Sequence, residues 1–232
     1  RFDRRGGLTN SGAMQRDQLV GRDEELQVLG AFVVRPAACL PAALILEGEA
    51  GIGKTALWLA AVDHARSGES TVLVSIPAQR EARLAFAALA DLVDGVWADI
   101  ADELAEPQRA ALEQALLLRE GTRSLPDERA VAFGFLGFVR ALARTGPVTI
   151  AIDDVQWLDP SSAATLKFTL RRLRAEPVRV LLARRLGENT DPDPFELERA
   201  PNVPTDVLAI GALTLGALHR LLRVRLGHAL TR

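Results

Sequence analysis

An apolar run, Ala42-Ala43-Leu44-Ile45-Leu46, leads straight into Glu47-Gly48-Glu49-Ala50-Gly51-Ile52-Gly53-Lys54-Thr55, and an alanine-rich helical stretch follows. Few folds accept that order: a buried strand, a turn with G-x-x-x-x-G-K-T spacing, then a helix. Gly48, Gly51 and Gly53 leave no Cβ in the turn, so successive backbone N–H groups can converge on phosphate oxygens. Lys54 adds a point charge at the β- and γ-phosphates, and the Thr55 hydroxyl can ligate Mg²⁺. The helix starting near Lys54 points its positive end at the same anion. A glycine-rich turn could match by chance. Lysine occurs only at positions 54 and 167, however, so a lysine at the one position this chemistry requires weighs against accident. The stretch predicts a loop that holds the phosphates of a nucleoside triphosphate.

A second run, Val148-Thr149-Ile150-Ala151-Ile152-Asp153-Asp154, reads as a strand buried on both faces of a parallel sheet. Two carboxylates at its carboxyl end sit where such sheets bind ligands. Alone, the pattern fits a strand followed by a helix cap better than a catalytic pair, by roughly two to one. Paired with the upstream P-loop, it places Asp153 as the Mg²⁺-holding acid and Asp154 as the group that orients or deprotonates an attacking water. A third candidate is Val178-Arg179-Val180-Leu181-Leu182-Ala183, a strand ending in Arg184-Arg185. An arginine at that tip can reach a γ-phosphate, or the two can be a solvated charge pair. The spacing leaves both open.

The remaining pattern is an alternation of helices and strands. Residues 23–34 carry Leu26, Leu29 and Val33 at helical spacing behind three acidic residues. The P-loop helix runs to about Arg66, and Thr71 to Ile76 forms a β-branched strand bounded by Pro77. A helical insertion follows: Leu84 to Ile100 with Leu84, Ala88, Leu92 and Val96 at steps of four, Ala105 to Leu118, and a third helix from Pro126-Asp127 to about Arg144. The third turns Val131, Phe135, Phe138, Val139 and Leu142 inward. Asp159 caps a helix that begins at Pro160 and runs to about Arg174. Gly187 to Pro204 is a loop, Asp206 to Ile210 a fifth strand, and Leu215 to Leu230 a basic amphipathic helix. The fold class is therefore α/β: a P-loop NTPase with a mostly parallel five-stranded sheet, flanking helices, and a helical insertion between strands 2 and 3.

Composition narrows the function. Net charge of −2 argues against a nucleic-acid footprint across the domain. A lone Cys39 excludes an internal disulfide framework and fits a reduced, cytoplasmic setting. No apolar run approaches the roughly 18 residues that span a bilayer, so no membrane partner is expected. Residues 1–18 are polar, glycine-rich and aperiodic, and the single methionine is Met14. They read as a disordered or expression-derived leader ahead of a core domain over 19–232, or the chain is a piece of something longer.

The order of motifs resembles one family. Val20-Gly21-Arg22-Asp23-Glu24-Glu25-Leu26, then Gly48 through Leu57, then Ile152-Asp153-Asp154-Val155-Gln156-Trp157-Leu158-Asp159-Pro160-Ser161-Ser162 are similar to the STAND class of AAA+-like ATPases. In detail they resemble the versions in large ATP-binding transcriptional regulators of the LuxR type. Leu84 to Leu89 and Val180 to Arg185 share that likeness, which covers roughly 19–226. The resemblance implies that Arg22 lies by the adenine and that Gly48, Glu49, Ala50, Gly51, Ile52, Gly53, Lys54, Thr55 and Ala56 bind the nucleotide. It implies Mg²⁺ on Thr55 and Asp153, and catalytic roles for Lys54, Asp154 and Arg185, the last as the strand-tip sensor. Trp157 and Asp159 are assigned to packing and capping. The implied activity is an ATP/ADP-governed switch with slow hydrolysis, coupled to C-terminal regulatory domains, with self-association and with DNA contacted only through a separate domain. Preference for ATP over GTP rests on this likeness.

Two other functions compete. A stand-alone P-loop kinase needs an acceptor pocket with its own acid, base or lid arginines, and no second constellation supplies one. A nucleotide-dependent assembly module without significant hydrolysis is also open, because Asp154 is shorter than the glutamate many ATPases use there.

Overall fold

The structure is a computed structural model that describes residues 19–37, 41–118, 126–187, 195–197 and 202–226. The leader over 1–18, Cys39, most of the 187–204 loop and the last helix beyond residue 226 lie outside the described residues. The β-rich runs form β1 (Ala42–Gly48), β2 (Thr71–Ser75), β3 (Val148–Ile152), β4 (Val178–Arg185) and β5 (Thr205–Ala209). They lie in one five-stranded sheet in the order β2-β3-β4-β1-β5, and every neighbouring pair is parallel. The P-loop strand and the Asp-Asp strand are therefore both neighbours of β4, which lies between them.

Around the sheet the described helices are α1 (Asp23–Val33), α2 (Lys54–Ser67), α3 (Ala87–Val93), α4 (Trp97–Ile100), α5 (Glu106–Ala115), α6 (Glu128–Thr145), α7 (Pro160–Leu170) and α8 (Leu215–Leu226). None of them is long and apolar enough to cross a membrane. The two-residue period of β1 divides the core between two faces. Ala43 and Ile45 meet the cluster that also holds Leu89, Leu112, Phe135, Phe138 and Leu166 from the insertion helices and α7. Ala42, Leu44 and Leu46 face Leu29 and Phe32 of α1 and Leu57, Trp58 and Val62 of α2. The Trp58 indole N–H also donates to the Leu181 carbonyl at 3.3 Å, fixing α2 against β4.

Several expectations shift. The single helix expected over Leu84–Ile100 is broken into α3 and α4. Phe86 (φ 62°) and Gly95 (φ 77°) both lie in the left-handed region, which no helix continues through. Leu84 is thereby left 58% exposed, while Ala88 and Leu92 remain buried. The helix expected to reach Leu118 ends at Ala115, and Leu117 (φ 57°) projects outward. α7 ends at Leu170 rather than near Arg174. β4 continues past Ala183 through Arg185, because its ladder with β1 runs on to pair Gly48 with Arg185. All five residues expected inward on α6 are buried.

On the basic helix α8, whose apolar face is expected on the core, Ala217 is buried, Leu221 and Leu222 are half-buried, and Leu215 and Leu218 are 86% and 41% exposed; its side chains past Arg223 lie outside the described residues. Ala217 docks on Gly21, where a Cβ would come within 2.3 Å of the Ala217 Cβ.

Candidate nucleotide site

The carboxyl ends of β1, β3 and β4 converge, and the loops leaving them carry the sequence-predicted site residues. At the β1 exit Gly48 has no room for a side chain, since a Cβ would stand 2.7 Å from the Ile210 carbonyl and 3.1 Å from Ile52 Cγ2. Gly51 (φ 75°) and Gly53 (φ 106°) are left-handed, with open space where a Cβ would project. Gly53 is the N-cap of α2, so the first amides of that helix face out of the loop. Glu49, Ala50, Gly51, Gly53 and Thr55 are exposed, Ile52 and Ala56 half-buried, and Lys54 is buried. The result is an open cradle of backbone donors around one deep ammonium group.

Lys54 Nζ donates to the Gly48 carbonyl at 3.0 Å and the Glu49 carbonyl at 2.8 Å. Burial lowers its pKa from that of an ordinary lysine; Asp154 and Asp153 pull it back up, while Arg185 depresses it further. The ammonium therefore lies close enough to all three groups to feel their charge.

Asp153 ends β3 almost fully buried, and its backbone N–H donates to the Ser75 carbonyl of β2 at 3.1 Å. Burial raises its pKa, against a lowering hydrogen bond from Thr55; the neighbouring Asp154 charge raises it further. The Thr55 hydroxyl thus lies near the Asp153 carboxylate, and the two come from different elements. A buried carboxylate beside a hydroxyl at the rim of an anion cradle is a hard-oxygen donor pair, which fits Mg²⁺. Among the described residues no group of three or more His, Cys, Asp or Glu could hold a metal. A cation bound here would thus take most of its oxygens from phosphate and water, as Mg²⁺ does.

Asp154 adopts a left-handed backbone (φ 45°), and its carboxylate meets the end of β4. Arg185 grips it twice, Nε to Oδ1 at 3.2 Å and Nη2 to Oδ2 at 3.0 Å. Gln156 Nε2 donates to the same Oδ1 at 2.8 Å, and Gln156 Oε1 accepts from the Arg185 backbone N–H at 3.3 Å. Burial pushes the Asp154 pKa up, but the hydrogen bonds from Arg185 and Gln156 and the charges of Arg185 and Lys54 outweigh it, so the net shift is downward. Of the two arginines ending β4, Arg184 pairs with Glu47 at 2.8 Å and Arg185 with Asp154; they are not a solvated pair.

Arg22 is only 5% exposed, and its guanidinium is engaged by protein. It donates to Glu25 at 2.7 Å, to the Ile52 carbonyl of the cradle at 3.0 Å and to the Gly211 carbonyl beyond β5 at 2.8 Å. In this arrangement Arg22 ties α1, the P-loop and the β5 exit together. Gln156 is the site residue that motif reading did not single out. Its signal was its position two residues after Asp154, within a tight turn.

Asp159 goes beyond a single cap. It accepts from Ser162 N–H, and also from Phe86 N–H and Ala88 N–H at the start of α3.

The sequence model of the AAA ATPase domain matches residues 18–182. Among solved structures, Orc1 of Aeropyrum pernix, in complex with DNA, is similar with a TM-score of 0.53 and 20% identity over 96% of this chain and 53% of that one. Cdc6p of Pyrobaculum aerophilum gives a TM-score of 0.55 at 15% identity, over 92% of this chain and 51% of its own. A chain of the E. coli MS115-1 HORMA:CdnC:Trip13 complex gives 0.52 at 16% identity, over 95% and 73%. The chain spans about half the length of Orc1 and Cdc6p, and at these identities the likeness is one of fold. No curated protein matches the chain.

Proposed function

The chain belongs to the AAA ATPase domain family, and from that premise we propose that it is an ATP/ADP-binding, slowly hydrolysing switch domain of a signal-responsive transcriptional regulator. The observation that carries the nucleotide reading is the meeting of Lys54, Thr55, Asp153, Asp154 and Arg185 at one edge of the sheet, delivered by three different strands. The STAND class and LuxR type are the finer part of the proposal. They are supported by the Gly21-Arg22-Asp23-Glu24-Glu25 opening and the Asp153-Asp154-Val155-Gln156-Trp157 run. In this reading residues 19–232 are the core of a longer cytoplasmic chain, whose regulatory domains and DNA-contacting domain lie outside it.

Each residue has a task in phosphoryl transfer to water. The amides of Gly51 to Thr55 and the Lys54 ammonium hold the phosphates and neutralise charge that builds on them. Thr55 and Asp153 would hold Mg²⁺, which would supply electrostatic neutralisation of the phosphate charge. Asp154, kept ionised by its partners, accepts a hydrogen bond from the attacking water. Arg185 would meet the charge that builds on the γ-phosphate. Slow turnover is in keeping with the same geometry, since Arg185 and Gln156 take three of the roughly four acceptor positions of Asp154. That observation also favours the second reading, an assembly module in which nucleotide binds and hydrolysis is negligible.

Calorimetric titration of the wild type and Lys54→Ala with ATP and ADP, with and without Mg²⁺, tests the reading. Single-turnover phosphate release is measured alongside. The proposal expects Lys54→Ala to lose at least tenfold in affinity for both nucleotides, and wild type to release phosphate slowly. Unchanged affinity in Lys54→Ala refutes nucleotide binding here; tight binding without phosphate release favours the assembly module.

A further inference from the structure

The two groups that matter most to a third phosphate are bound to each other. Arg185 donates two hydrogen bonds to Asp154, and Gln156 braces the pair from both sides, through Asp154 Oδ1 and the Arg185 backbone. The Arg185 side chain is 40% exposed and that of Asp154 23%, so the pair reaches solvent and lies outside the core. Lys54 feels the charge of both, so the pair lies near the one ammonium group of the cradle.

Resting on the nucleotide reading above, we propose that Asp154 determines how the pocket discriminates ATP from ADP, by competing with the γ-phosphate for Arg185. ADP is held by the loop amides and Lys54 and leaves the Arg185–Asp154 pair closed. A triphosphate draws the guanidinium to its terminal group and opens the pair. The affinity gained from the third phosphate is reduced by the lost contact, so the preference for ATP is set by the strength of an internal pair. Opening also releases Asp154 oxygens to a water, so the acid is freed only when its substrate is present. Gln156 is a positioning residue: it holds Asp154 facing Arg185 in the closed arrangement.

A charge-only account makes a different prediction. Removing the Asp154 charge would favour ATP whether or not Arg185 is present. The two accounts separate in a double-mutant cycle. Asparagine tolerates the left-handed backbone at 154, so Asp154→Asn preserves the turn. The dissociation constants of a non-hydrolysable ATP analogue and of ADP, both with Mg²⁺, are measured by calorimetry for wild type, Asp154→Asn, Arg185→Ala and the double variant. The expected result is a rise of about fivefold in the ATP-over-ADP preference on Asp154→Asn with Arg185 present, the scale of a half-exposed charge pair. With Arg185→Ala the same change has less than a third of that effect. Gln156→Ala, which alters no charge, raises the preference about twofold and serves alone if the Asp154 variant does not fold. An equal effect of Asp154→Asn in both backgrounds overturns the proposal, as does an unchanged preference in Asp154→Asn or Gln156→Ala. Failure of the nucleotide reading itself is distinguishable, because wild type would then bind neither nucleotide.

Discussion

Asp159 is the residue whose removal has the most calculable consequence. Its carboxylate is 2% exposed and serves two helices at once. Oδ1 accepts from Ser162 N–H at 2.9 Å, capping α7, and from Phe86 N–H at 2.9 Å, while Oδ2 accepts from Ala88 N–H at 3.2 Å at the start of α3. Asp159→Ala leaves three buried amides without acceptors. An N-cap loss costs about 1 kcal/mol and each further buried donor left unpaired about 1–3 kcal/mol. Allowing for partial relaxation, the sum is about 3–5 kcal/mol, or roughly 10 °C in melting temperature for a domain of this size.

Asp159→Asn makes the reasoning sharper. The amide oxygen can take the place of Oδ1 and keep both Ser162 and Phe86, but the NH₂ group then confronts Ala88 N–H. One donor is lost instead of three, so the cost falls to about 1–2 kcal/mol. Urea unfolding followed by circular dichroism reads both variants against wild type. The ranking wild type, Asn, Ala is the expected outcome, with the Ala variant at least twice as costly as Asn. Equal losses in the two variants, or an Ala loss under 1 kcal/mol, would show that the cross-helix acceptance by Asp159 contributes nothing.

Other perturbations follow from the same coordinates. A Cβ at Gly134 of α6 meets the Gln108 carbonyl at 2.8 Å and Leu112 Cγ at 2.9 Å, both fixed parts of α5, whereas at Gly137 it meets only the flexible end of Gln108 at 2.7 Å. Gly134→Ala is therefore expected to destabilise by about 1–3 kcal/mol and Gly137→Ala to be near neutral or mildly stabilising, checked by the same unfolding assay. Arg22→Ala frees the Ile52 and Gly211 carbonyls and strands Glu25, so melting temperature falls by several degrees and nucleotide affinity falls with it. Affinity that drops with no change in melting would instead assign Arg22 directly to the ligand. Burial holds the Lys54 pKa below that of an ordinary lysine, and bound phosphate raises it again. The complex thus keeps a proton that the free protein loses, and ADP affinity should decline as pH rises, starting below the ordinary lysine value of about 10.4. A profile flat up to that value would contradict the burial argument.

The sheet was legible because its strands are continuous β-rich runs between clear punctuation. Ala42 to Leu46 and Val148 to Ile152 have no polar face to confuse the period, except Thr149, whose hydroxyl finds Ser70 at 2.8 Å. The insertion was less legible for a physical reason. Leu84, Ala88, Leu92 and Val96 fit one helical stripe, but the acceptor that decides where α3 begins is Asp159, more than seventy residues away in sequence. Local spacing carries no trace of that contact. The α8 pattern has the same limit, since amphipathicity states that an apolar face exists and not what covers it. At the site, residue types and spacing identified Lys54, Thr55, Asp153, Asp154 and Arg185 as candidates. Their mutual pairing could only come from the register of β4 beside both β1 and β3.

That register explains why the acid pair can carry two different roles three bonds apart. Ile152 is locked in the buried β3–β4 ladder opposite Leu182, and Asp159 is locked by its three amide donors. The segment between them is clamped at both ends and must turn within six residues. A left-handed Asp154 achieves this at a cost of about 1 kcal/mol for a non-glycine residue, offset by its own bonds to Arg185 and Gln156. The turn leaves Asp153 continuing the strand direction toward Thr55, and swings Asp154 sideways to the tip of β4. An extended residue at 154 would send both carboxylates along alternating faces of β3, one of them into a hydrophobic cluster. The difference between a buried acid beside Thr55 and an ionised, arginine-bound acid is thus a consequence of where the chain is pinned. Relaxing either pin should blur it before it unfolds the domain.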